Sequence, residues 1–147
     1  MEIEIILDSP YVDMPTYATP GSAAIDLRSS TKENIVIPKD RVVYIPTGIH
    51  LNMPVSSMAA LLLPRSGLAS KYGLILANTV GLIDSDYQDE ILVALKYTGT
   101  NKSILIEPGY RVAQLMFIPI LIPTLTRVAE FSNTTERTGG FGSTGVK

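Results

Sequence analysis

The 147-residue sequence contains no cysteine, which removes disulfides, thiolate metal sites and cysteine nucleophiles from consideration. That composition suits a reducing compartment, and a cytoplasmic protein is expected. Histidine is scarce too. His50 is the single one, so a histidine-rich metal site or a Ser-His-Asp triad has little to draw on. It lies in GIHLNM, an expected strand, where a structural or surface role is the simpler reading. Positive charge is not in excess either: 12 Lys+Arg against 14 Asp+Glu leave a formal net charge of -2. This argues against a broad nucleic-acid or anionic-membrane footprint. Any anionic ligand must then be held by local arginines, oriented backbone amides or a metal. Long apolar runs are missing as well. The most apolar stretch, MFIPILIP from Met116 to Pro123, contains two prolines and is too short to span a bilayer. The opening MEIEIILDSP is acidic and alternating, the reverse of a signal peptide. No internal repeat or linker divides the chain.

What is present is a globular composition, 46% hydrophobic and 18% charged, sufficient for one domain with a real core. The runs EIEIIL, AAIDL, NIVI, RVVYI, GIHLNM, MAALLL, EILVALKY, SILI and RVAQLMFIPI alternate with turn signals such as SP, TPG, PKD, YTGTN and EPGY. Strands of about four to eight residues at this cadence predict an all-β single domain, a sandwich, jelly roll or barrel. One short helix is expected over SGLASKY, Ser66 to Tyr72, with Ser66 as its N-cap. MAALLLP and LMFIPILIPTL carry more continuous apolar surface than a small sandwich with a wet face needs. Ordinary core strands and a subunit contact both account for it.

Several short segments could carry chemistry. In PRSGLA, Pro64 to Ala69, a strand ends and a helix opens. Helix N-termini expose unpaired amides and bind phosphate readily, and Arg65 adds a fork-shaped cation and Ser66 a hydroxyl. A plain helix start with a surface arginine is the competing reading. NTVGLIDSDYQDEI, Asn78 to Ile91, predicts a hairpin with Asp84 and Asp86 at its mouth. One carboxylate there could be a general base toward water, and an Asx-rich turn with solvated carboxylates is the alternative. PGSAAIDL puts Asp26 inside an apolar strand, where it must be exposed, paired with a cation or near a metal. YRVAQLMF likewise puts Arg111 and Gln114 in an apolar strand, where the amide needs a backbone or ligand partner. RTGGFGSTG, Arg137 to Gly145, has the composition of a mobile chain end.

In this order and at these spacings, PGSAAIDL, PRSGLA, GLIDSDYQDEI, RVAQLMF and RTGGFGSTG resemble the five ordered motifs of the trimeric deoxyuridine triphosphatase (dUTPase) family. The resemblance runs from about Pro20 to Gly145. It implies a single dUTPase-like domain over 1–147, jelly-roll-like, with 134–147 as a flexible C-terminal arm. It implies hydrolysis of dUTP to dUMP and pyrophosphate with Mg²⁺ in a homotrimer with shared sites, lowering dUTP and supplying dUMP for thymidylate synthesis. By the same resemblance Asp84 is the general base for the attacking water and Arg137 an arginine finger. Arg65, Ser66, Gly67 and Gln114 hold phosphates, and Asp26 helps hold Mg²⁺ through water. Asn78 reads the uracil edge, Tyr87 packs under the deoxyribose, Phe141 stacks on the base, and Gly142, Ser143 and Thr144 wrap the phosphates. Departures from the family pattern are Asp89, Ala77 and Ala24, each where glycine is common. Two alternatives share the fold: a dCTP deaminase-like enzyme, and a dUTP-gated regulatory protein acting through protein contacts.

Overall fold

The structure, a computed structural model, describes residues 2–136. Among them the strands are β1 (Glu4–Leu7), β2 (Ile25–Arg28), β3 (Ile35–Pro38), β4 (Val42–Pro46), β5 (Ile49–Asn52), β6 (Met58–Leu63), β7 (Leu74–Leu76), β8 (Gly81–Ile83), β9 (Leu92–Tyr97), β10 (Ser103–Ile106) and β11 (Arg111–Pro119). A single helix, α1 (Ser66–Tyr72), joins β6 to β7. Four antiparallel sheets result, ordered β2-β11-β6-β8, β4-β9-β7, β1-β5 and β10-β3. None closes on itself, so of the expected forms the jelly-roll-like sandwich is the one observed and the closed barrel is not. No helix of the described residues is long and apolar enough to cross a membrane.

Alternation builds the core. In β2, Ile25 and Leu27 point inward while Asp26 and Arg28 take the opposite face. In β9, Val93, Leu95 and Tyr97 are buried between more exposed neighbours. These residues meet Leu62, Ile37, Ile45 and Leu115 in one cluster, where each fully buried aliphatic side chain contributes about 1.5–3 kcal/mol of transfer free energy.

Two strands escape the periodicity of the sequence. LIL and GLI, β7 and β8, are three residues each, too short to show a period. Their partners define them: β7 pairs with β9, and β8 with β6. β7 and β9 form the arms of a hairpin, continued by Ala77 N–H donating to the Ala94 carbonyl at 2.8 Å. The Asn78–Ile91 segment is the tip of that hairpin and does not form a ladder of its own. It detours so that β8 docks on the neighbouring sheet.

Two details around the helix depart from expectation or explain it. Arg65, extended at φ -82 and ψ 136, occupies the N-cap without a side-chain cap bond, and Ser66 is the first helical residue. The helix stops at Gly73, whose φ of +66 is left-handed. A Cβ there would also lie 2.6 Å from the Gly99 backbone nitrogen, so only glycine fits.

The two apolar stretches behave differently. MAALLL is β6, the inner strand between β11 and β8, with Ala59, Ala60 and Leu62 buried. Beyond Pro119 the chain leaves the sheet, and Leu121, Leu125 and Phe131 are 95%, 90% and 84% exposed. The 120–136 segment therefore has no place in this core.

Candidate active site

Asp26 comes first because two arginines meet on it. β2 turns its carboxylate away from the core, at 25% side-chain exposure. Arg65 Nε donates to Oδ1 at 2.7 Å, and Arg111 Nη1 lies 3.3 Å from Oδ2. Arg65 reaches it from the N-cap of α1.

Arg111 reaches it because of a β-bulge. The β11–β2 register jumps from Arg111↔Arg28 to Ala113↔Leu27, so Val112 is an extra residue. Val112 and Ala113 are both buried in succession. Without the bulge, strict alternation would send Arg111 and Gln114 to opposite faces. With it, both share the outer face with Asp26.

Gln114 sits opposite Asp26 on β2 and Leu63 on β6. Its amide donates to the Pro64 carbonyl at 2.9 Å, so its partner in this structure is backbone, and the bond steadies the residue before Arg65.

Asp26, Arg65, Ser66, Arg111 and Gln114 line one cleft of about 410 Å³. A second cleft of about 450 Å³ shares Arg65, Ser66 and Arg111 and adds Gly67, Lys71, Tyr72 and Tyr110. Burial, reinforced by the nearby Tyr72 phenol, pushes the Tyr110 phenol above its usual range despite the opposing Arg65 charge. Tyr110 therefore stays a neutral donor at neutral pH. Together these clefts offer three cations, hydroxyl groups and the first two helical amides of Ser66 and Gly67, which have no carbonyl one turn earlier to bind. The arrangement suits a polyanion even though the chain is net negative.

The second group of candidates stands apart. Asp84 and Tyr87 lie just past β8, both exposed. Tyr87 N–H donates to the Asp84 carbonyl at 3.1 Å, and Tyr87 Oη donates to the Glu90 carbonyl at 3.1 Å. Asn78 lies at the β7–β8 turn, beside Thr79, which has a φ of 64. Val80 N–H donates to the Asn78 carbonyl at 2.6 Å, so Thr79 is the centre of a γ-turn, a strained conformation for a β-branched residue. Asp89 is exposed in the same loop, and Ala24 lines the Asp26 cleft.

Among the described residues no hydrogen bond or ion pair joins the Asp26 group to the Asp84 group. The sheet geometry explains this. β2 and β8 are its two edges, three strand spacings or roughly 14 Å apart. One step past Ile83↔Ala60 places Asp84 beside Ala59, four residues along β6 from Leu63, or roughly 13 Å. Asp26 and Asp84 of one chain therefore cannot both serve one phosphate. Arg137, Phe141, Gly142, Ser143 and Thr144 lie outside the described residues.

Comparison with known proteins assigns the family. The dUTPase family model matches residues 10–145. The chain belongs to the dUTPase family. Deoxyuridine 5'-triphosphate nucleotidohydrolase of Shewanella halifaxensis is 47% identical over 134 residues, covering 91% of this chain and 88% of that protein. The protein of the same name from Buchnera aphidicola subsp. Schizaphis graminum is 45% identical, covering 91% and 84%. Among solved structures, the Staphylococcus bacteriophage 80alpha dUTPase with dUPNHPP superposes with a TM-score of 0.89 at 28% identity, covering 99% of both chains.

Sequence reasoning named Arg111 beside Gln114 in RVAQLMF but gave it no site role, and the structure brings it to Asp26. Nor did it foresee that His50 and Glu90 lie behind the Asp84–Tyr87 loop.

Proposed function

We propose that this dUTPase-family chain hydrolyses dUTP to dUMP and pyrophosphate in the cytoplasm, limiting dUTP and supplying dUMP for thymidylate synthesis. The observation that carries the reading is that Asp26, Arg65, Ser66 and Gln114, scattered in sequence, line one cleft in a chain of this family.

Arg65, Arg111 and the amides of Ser66 and Gly67 bind the triphosphate, with Gln114 adding an amide. Asp84 orients a water and accepts its proton as the oxygen attacks the α-phosphorus. The bridging α–β P–O bond breaks and pyrophosphate leaves with the electron pair. Tyr87, its ring fixed by the bond to Glu90, packs under the deoxyribose where a 2′-hydroxyl would clash. Asn78 and nearby backbone groups read the uracil edge, leaving cytosine's groups unpaired. Arg137 reaches the γ-phosphate, Phe141 stacks on uracil, and Gly142, Ser143 and Thr144 wrap the phosphates.

Mg²⁺ fits this donor set. Among the described residues no cluster of three or more His, Cys, Asp or Glu could hold a metal, but Mg²⁺ that keeps its waters and takes phosphate oxygens needs only one carboxylate. Asp26 Oδ1 accepts the Arg65 Nε–H and Oδ2 only faces Arg111 Nη1 at 3.3 Å, so both oxygens keep a free lone pair. Bound there through water, Mg²⁺ would neutralise charge on the triphosphate.

The separation of Asp26 from Asp84 supports sites shared between subunits of a homotrimer, and the exposed apolar 120–136 segment supplies surface for such contacts. A substrate panel tests the activity. dUTP should be consumed, while UTP, dCTP and dTTP should each turn over at least ~100-fold less efficiently, the discrimination expected of unpaired buried polar groups or a steric clash. Equal use of UTP would reject the role of Tyr87, and deamination of dCTP would reject the reaction class.

A further inference from the structure

The loop carrying Asp84 and Tyr87 is stitched from behind to β5 and the turn before it. Thr47 Oγ1 donates to the Ile91 carbonyl at 2.6 Å, and Ile91 N–H donates to the Ile49 carbonyl at 2.9 Å. Gly48 N–H donates to Glu90 Oε1 at 2.7 Å, and Gln88 Nε2 donates to Asn52 Oδ1 at 3.0 Å. The remaining stitch is His50. Its Nδ1 lies 2.9 Å from the Gln88 carbonyl, and its Nε2 lies 2.9 Å from Asp8 Oδ2.

Both partners of the ring are pure acceptors. A neutral imidazole has one N–H and one lone pair, so it can satisfy only one of them, whereas the imidazolium satisfies both. The other groups around the ring share this preference for positive charge. Glu90 faces it from the loop, while Glu4 on β1, which lines the same pocket, is engaged by Asn52 at 2.6 Å. Ile6, opposite His50 across the β1–β5 ladder, adds no charge.

We infer that His50 is a positioning residue for the substrate-reading loop: as an imidazolium held by Asp8, it clamps the Gln88 carbonyl and so fixes where Asp84 and Tyr87 stand. This rests on the proposed role of that loop in binding dUTP.

The hydrogen bond to Asp8, then that to the Gln88 carbonyl, raises the His50 pKa above its ordinary value of 6.5. A raised value means the clamp stabilises the fold fully below about 6.5 and loses that contribution as pH climbs through the folded-state value. The clamp is therefore tight in mild acid and looser in alkali.

The test compares the intact wild-type protein with His50→Gln, which keeps an amide donor and is uncharged at every pH. The ratio of their KM values for dUTP cancels titration of the substrate's own phosphate. His50→Gln should show a KM about fivefold above wild type at pH 6, the loss of about one net hydrogen bond. The two should converge by pH 9, and kcat, lowered at pH 6 by a less well placed Asp84, should converge over the same range. Asp8→Asn should move the wild-type midpoint to lower pH. Independently of turnover, the amide NMR signals of Asp84 and Gln88 should titrate with the His50 ring, and lose that titration in His50→Gln. A KM ratio flat from pH 6 to 9, or loop amides indifferent to His50, overturns the inference. Absence of any dUTP turnover overturns the functional reading instead, and the NMR titration then decides the clamp.

Discussion

Asp84→Asn is expected to bind dUTP normally and to turn it over at least ~100-fold more slowly, the usual cost of losing a general base. The substitution keeps the shape and hydrogen-bonding span of the side chain and removes only its ability to take a proton. Structural collapse is not a competing outcome. Asp84 is exposed, and its contribution to the loop is a backbone carbonyl bonded to Tyr87 N–H, which the change leaves in place. Unfolding midpoint and dUTP affinity should therefore match wild type while kcat falls. Near-wild-type kcat would reject Asp84 as the base. A parallel loss of affinity would mean that the carboxylate orients substrate rather than activates water.

The second large effect comes from mixing. Asp26→Asn should also lose about 100-fold or more, because it removes the one carboxylate suited to a water-held Mg²⁺ among the cations of the cleft. Neither variant works alone. Asp26 and Asp84 of one chain lie at opposite edges of a sheet and near opposite ends of its strands, too far apart for one phosphate. On the proposed reading, each site takes them from different subunits. When the two variants are co-folded in equal amounts, a site is intact if its Asp26 comes from the Asp84→Asn chain and its Asp84 from the Asp26→Asn chain. Each condition is met half the time, so random assembly restores about a quarter of wild-type activity. Recovery no greater than the sum of the separate variants would place both residues in one subunit's site and contradict the shared arrangement.

Structure that follows local periodicity is legible in the sequence, and structure that depends on distant partners is not. IDLR and LVALKY alternate because one face meets the core, and that is visible residue by residue. LIL and GLI become strands only because β9 and β6 offer them free edges. Nothing within three residues carries that information. The bulge at Val112 is similarly hidden, yet it decides that Arg111 shares a face with Asp26. Ser66 looks like an N-cap by composition, but the cap is Arg65, whose side chain is already drawn to Asp26 from 39 residues away. His50 looks inert because its partners, Asp8 and the Gln88 carbonyl, are 42 and 38 residues distant. The motif order was legible because each motif is short and contiguous. The division of the motifs between the two edges of a sheet was not, since it is a property of topology.

The most direct measurement of the central claim is hydrolysis of dUTP in ¹⁸O-labelled water, with the products separated and weighed by mass spectrometry. Attack on the α-phosphorus by an Asp84-activated water predicts dUMP carrying one ¹⁸O and unlabelled pyrophosphate. Label in pyrophosphate, or release of dUDP and orthophosphate, would contradict it.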